Sequence, residues 1–344
     1  MINLSGDINE FLEIYRTSSK IVVWGAGMCA QDFRELLLKT QGEELQVSYY
    51  IDKNLEICDG QVVFPVDRLV EEIKSIDLVL IATQYTNSVL EELENVGYSG
   101  NIVSIFNIIY RDKWGDTKEI EENLEKLKEI LADDKSKELV EVICKKRKML
   151  NVDYSKYCEG DQYFVEGIIK KEADAVFVDA GAYDGGTIDE FIEFQQGEYE
   201  KVFSFEMNEV NYRRIEQKNY DQRVTVYNMG LWDEKTECKY NLSEDSSKLG
   251  EGDHIAQCVK LDEILDGERI SFIKMDIEGA EERALLGAEQ SIKKWKPQLA
   301  ICIYHKQNDL WSIPFLIHSM VPEYRLYIRH HMPNINETVL YAVL

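Results

Sequence analysis

The sequence contains no run of about 18 or more apolar residues, the length that a helix needs to cross a bilayer, so no membrane span is predicted. Residues 1–16 carry acidic side chains and no continuous apolar core, which argues against a signal peptide. The seven cysteines include no Cys-x-x-Cys pair, so neither a zinc site nor a disulfide framework is indicated. These absences predict a cytoplasmic protein with reduced thiols.

Positive charge is also scarce, because 39 lysines and arginines face 64 aspartates and glutamates, for a net charge of −25. Such a field repels nucleic acid and anionic lipid, so neither is an expected partner. A cationic ligand is mildly favoured, although screening limits this effect to about 8 Å. With 344 residues, of which 44% are hydrophobic, the chain is long enough for two globular domains of ordinary size.

The stretch 176–187 organises the C-terminal half of the chain. A buried β-branched and aromatic run ends at an acid, glycines follow, and an apolar-periodic helix begins, which predicts the opening of a doubly wound α/β sheet. No Gly-Lys-Ser/Thr sequence ends the loop, so it is not a phosphate-binding P-loop. Asp179 and Asp184 would repel phosphate and would suit a cationic ligand such as S-adenosylmethionine. A tight turn without any ligand is the alternative.

A second strand, 270–275, also ends in an acid, Asp276, and leads into a helix. Together the two stretches resemble the FkbM family of S-adenosylmethionine-dependent methyltransferases, which has the class I methyltransferase fold. The runs 228–231 and 286–288 fit the same family, and the resemblance covers about residues 160–344. Gly230 is a small departure, because the family usually has alanine at this position.

The resemblance implies a mostly parallel sheet with an antiparallel final strand, and S-adenosylmethionine bound at the carboxyl ends of the strands. Glu206 directly follows the predicted strand 201–205, where a carboxylate can accept hydrogen bonds from both ribose hydroxyls. A helix-terminal acid without a ligand is the alternative. The run 228–232 would border the adenine. The expected cofactor-binding residues are Asp179, Gly181, Tyr183, Asp184, Glu206, Met207, Asn228, Gly230, Leu231 and Asp276.

Several polar residues follow predicted strands directly, and parallel strands would bring them to one edge of the sheet. His305 is the predicted catalytic base, because histidine titrates near neutral pH, with Asp276 either orienting it or acting as the base itself. Glu278, His305 and His331 are predicted to contact the acceptor, although ordinary strand-end histidines are the alternative. No metal site is predicted, since these four residues could supply ligands but show no fixed ligand spacing.

The N-terminal part has its own strand and glycine motif. The strand 21–24 leads into a Gly-x-Gly-x-x-Ala pattern starting at Gly25, and a second strand ends at Asp52, near the ribose-binding acid of dinucleotide folds. These features predict a small Rossmann-like domain. Two roles remain open for it: binding of a nucleotide or nucleotide sugar, and a scaffold or docking role.

We therefore predict a Rossmann-like domain at 1–112, a helical connector at 113–158 and a methyltransferase domain at 159–344. The polar segment 241–254 is predicted to be a loop near the site. The expected function is S-adenosylmethionine-dependent O-methylation of a sugar hydroxyl in a glycan, a glycolipid precursor or a glycosylated small molecule. The alternatives are an NAD-dependent oxidoreductase or a nucleotide-sugar-binding protein acting through the N-terminal domain, or a protein with a decayed methyltransferase domain. The sequence leaves a homo-oligomer open.

Overall fold

The computed structural model describes residues 1–53, 57–58, 61–114, 117–148, 153–240 and 254–344. All but the last residue of the segment 241–254, for which a loop is predicted, lie outside these ranges. The chain divides into two compact units, one formed by Met1–Thr117 and Lys145–Val152, the other by Lys118–Cys144 and Asp153–Leu344. No helix in the described ranges is both long and apolar enough to cross a membrane.

The first unit is built on a seven-stranded sheet in the order β1-β7-β6-β2-β3-β5-β4. Its strands are β1 Ile2–Asn3, β2 Ile21–Trp24, β3 Tyr49–Ile51, β4 Ile57–Cys58, β5 Gln61–Phe64, β6 Leu78–Ile81 and β7 Asn101–Ser104, and its helices are α1 Ile8–Tyr15, α2 Met28–Gln41, α3 Asp67–Glu72, α4 Thr86–Asn95 and α5 Ile105–Trp114. All neighbouring strands are parallel except β4 and β5. The predicted N-terminal Rossmann-like sheet is thus present. β1, β4 and β5 were not predicted; β1 and β4 have only two residues each, too few to show a period.

The glycine loop of this first sheet is held by its own backbone contacts. A Cβ on Gly25, whose φ is +103°, would lie 2.6 Å from the carbonyl oxygen of Ala82. The carboxylate of Asp52 accepts a hydrogen bond from the backbone N–H of Ala26 at 2.9 Å. Both predicted nucleotide-binding features therefore have a structural role in shaping the loop.

Two helices, α6 Thr117–Ile130 and α7 Asp134–Lys148, fall in the predicted connector. Leu124, Leu127 and Leu139 of these helices, and Leu131 between them, are buried in the apolar core of the second unit, together with side chains of the second sheet. The Arg329 guanidinium donates to the carboxylate of Asp133 and, at 2.9 Å, to the Ser136 hydroxyl. Residues 118–144 therefore pack as part of the second unit.

The second unit contains a seven-stranded sheet in the order β10-β9-β8-β14-β15-β17-β16. The remaining elements are β8 Val176–Ala180, α8 Gly186–Phe194, β9 Lys201–Phe205, α9 Glu209–Gln217, β10 Val224–Tyr227, β11 Gly230–Leu231, β12 Thr236–Tyr240, β13 His254–Val259, α10 Leu261–Ile264, β14 Phe272–Met275, α11 Glu281–Gly287, α12 Glu289–Trp295, β15 Gln298–Cys302, α13 Asp309–Met320, β16 Arg325–His330 and β17 Thr338–Val343. Five strands are parallel, and β17 runs antiparallel to both β15 and β16. The predicted mostly parallel sheet with an antiparallel final strand is confirmed.

A third, three-stranded sheet, β11-β13-β12, was not predicted. Beside it, α11 ends at Gly287, where a Cβ would lie 1.9 Å from the carbonyl oxygen of Trp232. Glycine is thus required for α11 to approach the chain that leaves β11, which gives a physical reason for the Leu-Gly-Ala run at 286–288.

Candidate active site

A cavity of about 280 Å³ lies at the carboxyl ends of the parallel strands in the second unit. Its lining residues are Ala180, Gly181, Tyr183, Phe205, Glu206, Met207, Asn211, Met229, Gly230, Leu231, Asp276, Ile277, Glu278, Ala280, Tyr304 and Glu337. Seven of the ten predicted cofactor-binding residues and the predicted acceptor residue Glu278 are among them. Among these lining residues, all four charged side chains are carboxylates, at 206, 276, 278 and 337, so the cavity suits a cationic ligand.

The glycine loop after β8 touches the chain that follows β14. Gly181 has a φ of +79°, and a Cβ there would lie 1.9 Å from the carbonyl oxygen of Asp276. No other residue type fits this contact without moving the backbone, so the loop can bring Gly181 and Asp276 to the same cavity only because residue 181 is glycine.

We expect Gly181→Ala to destabilise the protein more than Gly197→Ala. Both glycines have a φ of +79°, but a Cβ on Gly197 would meet no atom within 4 Å. The left-handed backbone should cost either variant about 1–2 kcal/mol, and the clash at Gly181 should add roughly 1–3 kcal/mol. Urea denaturation of both variants measures the difference. Equal losses of stability in the two variants would show that the chain at Gly181 moves away from Asp276 at little cost.

Four of the eight non-glycine residues with a positive φ in the described part of the chain lie at the cavity. Tyr183, Glu278 and Glu337 line it with φ values of +51°, +57° and +64°, and Tyr163, at +69°, bonds to Asp276. Each such residue costs of order 1–3 kcal/mol and persists only where the surrounding structure enforces it, often at functional sites. Their grouping here supports a functional role for the cavity.

Glu206 follows β9, as predicted, and its carboxylate is held by backbone donors. Oε2 accepts from the N–H of Tyr183 and Oε1 from the N–H of Asn208, both at 2.8 Å. Burial raises the pKa of Glu206 to about 7, although these backbone hydrogen bonds and the Lys274 charge act in the opposite direction. Each carboxylate oxygen has a second lone pair, so the fixed group can still accept a hydrogen bond from a ligand hydroxyl.

The apolar part of the cavity lies beside Glu206 and consists of Phe205, Met207, Met229 and Leu231. Asn228 does not line the cavity; its side-chain amide donates to the carbonyl oxygens of Glu206, at 2.9 Å, and Met207, at 3.2 Å. A Cβ on Gly230 would lie 3.0 Å from Cys258 Sγ. Glycine at position 230 therefore avoids a tight contact with the sulfur of Cys258.

Asp179 is fully buried and does not line the cavity. Its partner across the β8–β14 register is Lys274, whose Nζ is 3.0 Å from Asp179 Oδ1 and donates to the carbonyl oxygens of Ala180 and Gly181. Burial opposes charge on Lys274, but the carboxylates of Asp179 and Asp276 outweigh it and raise its pKa. Burial raises the pKa of Asp179, and Lys274 offsets only part of that effect. The ion pair therefore holds the start of the glycine loop through the hydrogen bonds of Lys274 to Ala180 and Gly181.

Asp276 is the centre of a hydrogen-bond network at the cavity. It accepts from the hydroxyls of Tyr163 at 2.9 Å and Tyr304 at 3.2 Å, and Tyr304 also contacts Glu337 at 3.1 Å. Burial favours the neutral acid, but the charges of Lys274 and His305 outweigh it and lower the pKa of Asp276. Burial raises the pKa of Glu337. Two carboxylates with different proton affinities thus share one tyrosine hydroxyl.

His305 follows β15 but lies among carboxylates rather than in the cavity lining. Its Nδ1 is 3.0 Å from Glu281, and its Nε2 is 3.4 Å from Asp276 and 3.8 Å from Glu278. Burial favours the neutral ring, but these carboxylates raise the pKa of His305 to about 9. An imidazole that is already protonated cannot accept a proton at neutral pH. This environment argues against the predicted role of His305 as the base.

Two other predicted site residues bond elsewhere. Asp184 accepts from the N–H of Gly186 at 2.9 Å, at the start of α8. His331 contacts the carbonyl oxygen of Glu159 at 3.1 Å and the Tyr341 hydroxyl at 2.8 Å, so both ring nitrogens are engaged away from the cavity lining. The structure therefore separates these residues, and Asp179, from the predicted set that lines the cavity.

Three residues of the site had no predicted role there: Lys274, Tyr304 and Glu337. Lys274 stands inside an apolar strand, which is a signal of a buried ion pair. Tyr304 comes directly after β15, at the edge where ligands bind. Glu337 gave no signal, because it lies between β16 and β17 and reaches the cavity only through the antiparallel order of the last strands.

The order of the seven strands, 3-2-1-4-5-7-6 by occurrence, and the cavity at their carboxyl ends define the class I methyltransferase fold. Residues 179–332 match the family model described as the methyltransferase FkbM domain. The matched residues lie within the second unit.

The same fold is found in a solved structure of a methyltransferase FkbM from Methylobacillus flagellatus KT, which is 24% identical, covers 98% of this chain and 94% of its own, and has a TM-score of 0.73. An rRNA methylase from Streptococcus thermophilus (16% identity, 50% of this chain, 87% of its own, TM-score 0.33) is a more distant match. Fibrillarin from Aeropyrum pernix, solved with natively bound S-adenosyl-L-methionine, is another distant match (10% identity, 50% of this chain, 67% of its own, TM-score 0.33). No curated protein matches the chain.

Proposed function

We propose that this protein is an S-adenosylmethionine-dependent O-methyltransferase that acts on a sugar hydroxyl of a glycan, a glycolipid precursor or a glycosylated small molecule. The observation that carries the proposal is the cavity at the strand ends, whose charged lining consists of four carboxylates and whose Glu206 is fixed by two backbone donors. The sugar acceptor rests on the family resemblance.

The cavity residues fit the chemical groups of the cofactor. Glu206 would accept hydrogen bonds from the ribose hydroxyls, and the apolar side chains at 205, 207, 229 and 231 would pack on the adenine. The methionine portion would lie beside Gly181, which lines the cavity, and its ammonium group would face carboxylates. When bound, the cofactor supplies an electrophilic methyl group.

The chain's own residues would orient the acceptor and take its proton. Asp276 and Glu337 both line the cavity and share the Tyr304 hydroxyl, so an acceptor hydroxyl placed beside them can transfer its proton to a carboxylate as the new bond to oxygen forms. Holding that hydroxyl in line with the methyl–sulfur bond is the larger task for the cavity.

In the described residues of the first unit, contacts within the glycine loop account for both features that predicted a nucleotide site. The carboxylate of Asp52, which a dinucleotide's ribose would use, accepts a hydrogen bond from Ala26, and Gly25 is required by its contact with Ala82. We therefore propose a scaffold or docking role for the N-terminal domain.

Ligand-dependent thermal stability tests the proposal. S-adenosylhomocysteine at about a hundred times its dissociation constant should add about 2.7 kcal/mol to the free energy of unfolding. Methyl transfer from labelled S-adenosylmethionine to a panel of glycosides then identifies the acceptor class. Stabilisation by NADH or a nucleotide sugar, with none by S-adenosylhomocysteine, would contradict the proposal and move the function to the first unit.

A further inference from the structure

We propose that His305, Asp276 and Glu281 bind a divalent cation beside the cofactor cavity, with the Glu278 carboxylate on the cavity side of the ion. One ligand atom from each of the first three residues lies within 4.8 Å of the other two. These residues come from the chain after β14, the start of α11 and the chain after β15, so the fold, rather than a sequence motif, brings them together.

Three polar atoms of this cluster, on His305 and Glu281, lack the hydrogen bonds that buried groups normally make. The His305 side chain is 8% exposed and the Glu281 side chain 1%. Within the described part of the chain, both ring nitrogens of His305 and Glu281 Oε2 are buried without a hydrogen-bond partner. Glu281 Oε1 is 3.0 Å from His305 Nδ1 and accepts a hydrogen bond from the backbone N–H of Ile277 at 2.9 Å. Buried nitrogen and oxygen atoms that lie close together without hydrogen-bond partners indicate that a ligand of these atoms is missing.

The spacing of the ligand atoms fits a common ion better than hydrogen bonds. His305 Nε2 is 3.4 Å from Asp276 Oδ1 and 3.8 Å from Glu278 Oε2, both beyond the usual hydrogen-bond length. Nitrogen and oxygen ligands lie about 2.0–2.2 Å from a metal ion, so two ligands of the same ion are roughly 3–4 Å apart. The two separations measured from His305 Nε2 fall in that range, and one oxygen of Glu281 lies within 4.8 Å of the ligand atoms that His305 and Asp276 offer.

Charge balance points in the same direction. Three carboxylates converge on one buried imidazole, and like charges repel more strongly in such a partly buried space than they do in water. A divalent cation with a neutral imidazole offsets more of this negative charge than a single imidazolium does. The mixed set of imidazole and carboxylates suits Mn²⁺ or Zn²⁺.

The cation's role, unlike its binding, rests on the proposed function. Asp276 and Glu278 line the cavity, so an ion held between them and His305 would be open to an acceptor oxygen. A coordinated hydroxyl loses its proton more readily, which would prepare it for methylation. The Glu337 carboxylate, which accepts a hydrogen bond from the Tyr304 hydroxyl beside Asp276, would then receive that proton.

Mn²⁺ titration of the chelator-treated full chain tests the site without using the cofactor. We expect one Mn²⁺ per chain by calorimetry and electron paramagnetic resonance, with affinity at least about tenfold weaker in both His305→Gln and Glu281→Gln. His254→Gln, which changes an exposed histidine on β13, is the matched control and should bind as wild type does. Circular dichroism checks the fold of each variant.

Absence of Mn²⁺ binding to the wild-type chain, or binding unchanged in both site variants, would overturn the inference. The wild-type titration remains decisive even if a variant fails to fold. S-adenosylhomocysteine binding is measured separately. If the chain binds S-adenosylhomocysteine but not Mn²⁺, the cation site is wrong and the proposed function stands. If it binds Mn²⁺ but not S-adenosylhomocysteine, the cation site stands and the proposed function is wrong.

Discussion

Replacing Lys274 with methionine is expected to lower the free energy of unfolding of the second unit by about 3–5 kcal/mol. Methionine keeps much of the volume of the side chain but removes its charge. Asp179, fully buried, would then have no cation opposite it, and the carbonyl oxygens of Ala180 and Gly181 would lose their donor. Breaking a buried pair in this way leaves an uncompensated charge, which is one of the largest effects of a single substitution.

Urea denaturation of the Lys274 variant measures this loss, with Lys293→Met as the matched control. Lys293 pairs with Glu289 at 2.6 Å on the surface of α12, and its side chain is 50% exposed. Its replacement should change stability by no more than about 0.5 kcal/mol. Adding Asp179→Asn to Lys274→Met should recover part of the loss, because the double variant contains no buried charge. A loss as small as that of the control would show that the pair does not hold the loop.

The deficit of the Lys274 variant should also depend on pH. Burial already raises the pKa of Asp179, and removal of the lysine charge raises it further. An acid whose pKa is higher in the folded state is stabilising when protonated, and this contribution is lost as pH rises through the folded-state pKa. The deficit should therefore be smaller at about pH 5 than at about pH 8. A deficit independent of pH would place the cost in packing instead of charge.

The parts of the site that could be predicted from the sequence are those that follow strands directly. A buried run that ends in an acid marks the carboxyl end of a strand, so Glu206 and Asp276 could be placed at the same edge. Gly181 was also predictable, because a glycine directly after such a strand permits close approach of backbone. The position of a residue at the end of a strand does not give the direction of its side chain, however. The Asp179 carboxylate is buried and pairs with Lys274 instead of lining the cavity.

The role of His305 could not be predicted, because its proton affinity depends on neighbours from other parts of the chain. Glu278 and Glu281 reach it from the chain after β14, which is parallel to β15 and beside it. An isolated strand-end histidine would titrate near neutral pH, but among these carboxylates its pKa rises to about 9. The sequence does not show that β14 and β15 are neighbours in the sheet, so it does not show that these carboxylates lie around His305.

Replacing Glu206 with alanine is expected to weaken S-adenosylhomocysteine binding about a hundredfold or more. Hydrogen bonds to charged groups contribute roughly 1.5–3 kcal/mol each, and a ribose offers two hydroxyl donors to this carboxylate, so a loss of about 3 kcal/mol corresponds to about a hundredfold. Glu209→Ala is the matched control, because Glu209 is an exposed residue of α9 that pairs with Arg213. Calorimetry of both variants measures the affinities.

A modified ligand separates loss of the ribose contact from loss of loop structure, since Glu206 also accepts from the N–H groups of Tyr183 and Asn208. The 2′-deoxy analogue of S-adenosylhomocysteine should bind the wild-type chain much more weakly than the parent ligand, and this difference should vanish in Glu206→Ala if the two groups interact directly. Because burial raises the pKa of Glu206 to about 7, wild-type affinity should fall up to about tenfold from pH 8 to pH 6, as the acceptor carboxylate is protonated. The variant should lack this dependence. An undiminished preference for the 2′-hydroxyl in Glu206→Ala would instead assign the ribose to another residue of the cavity.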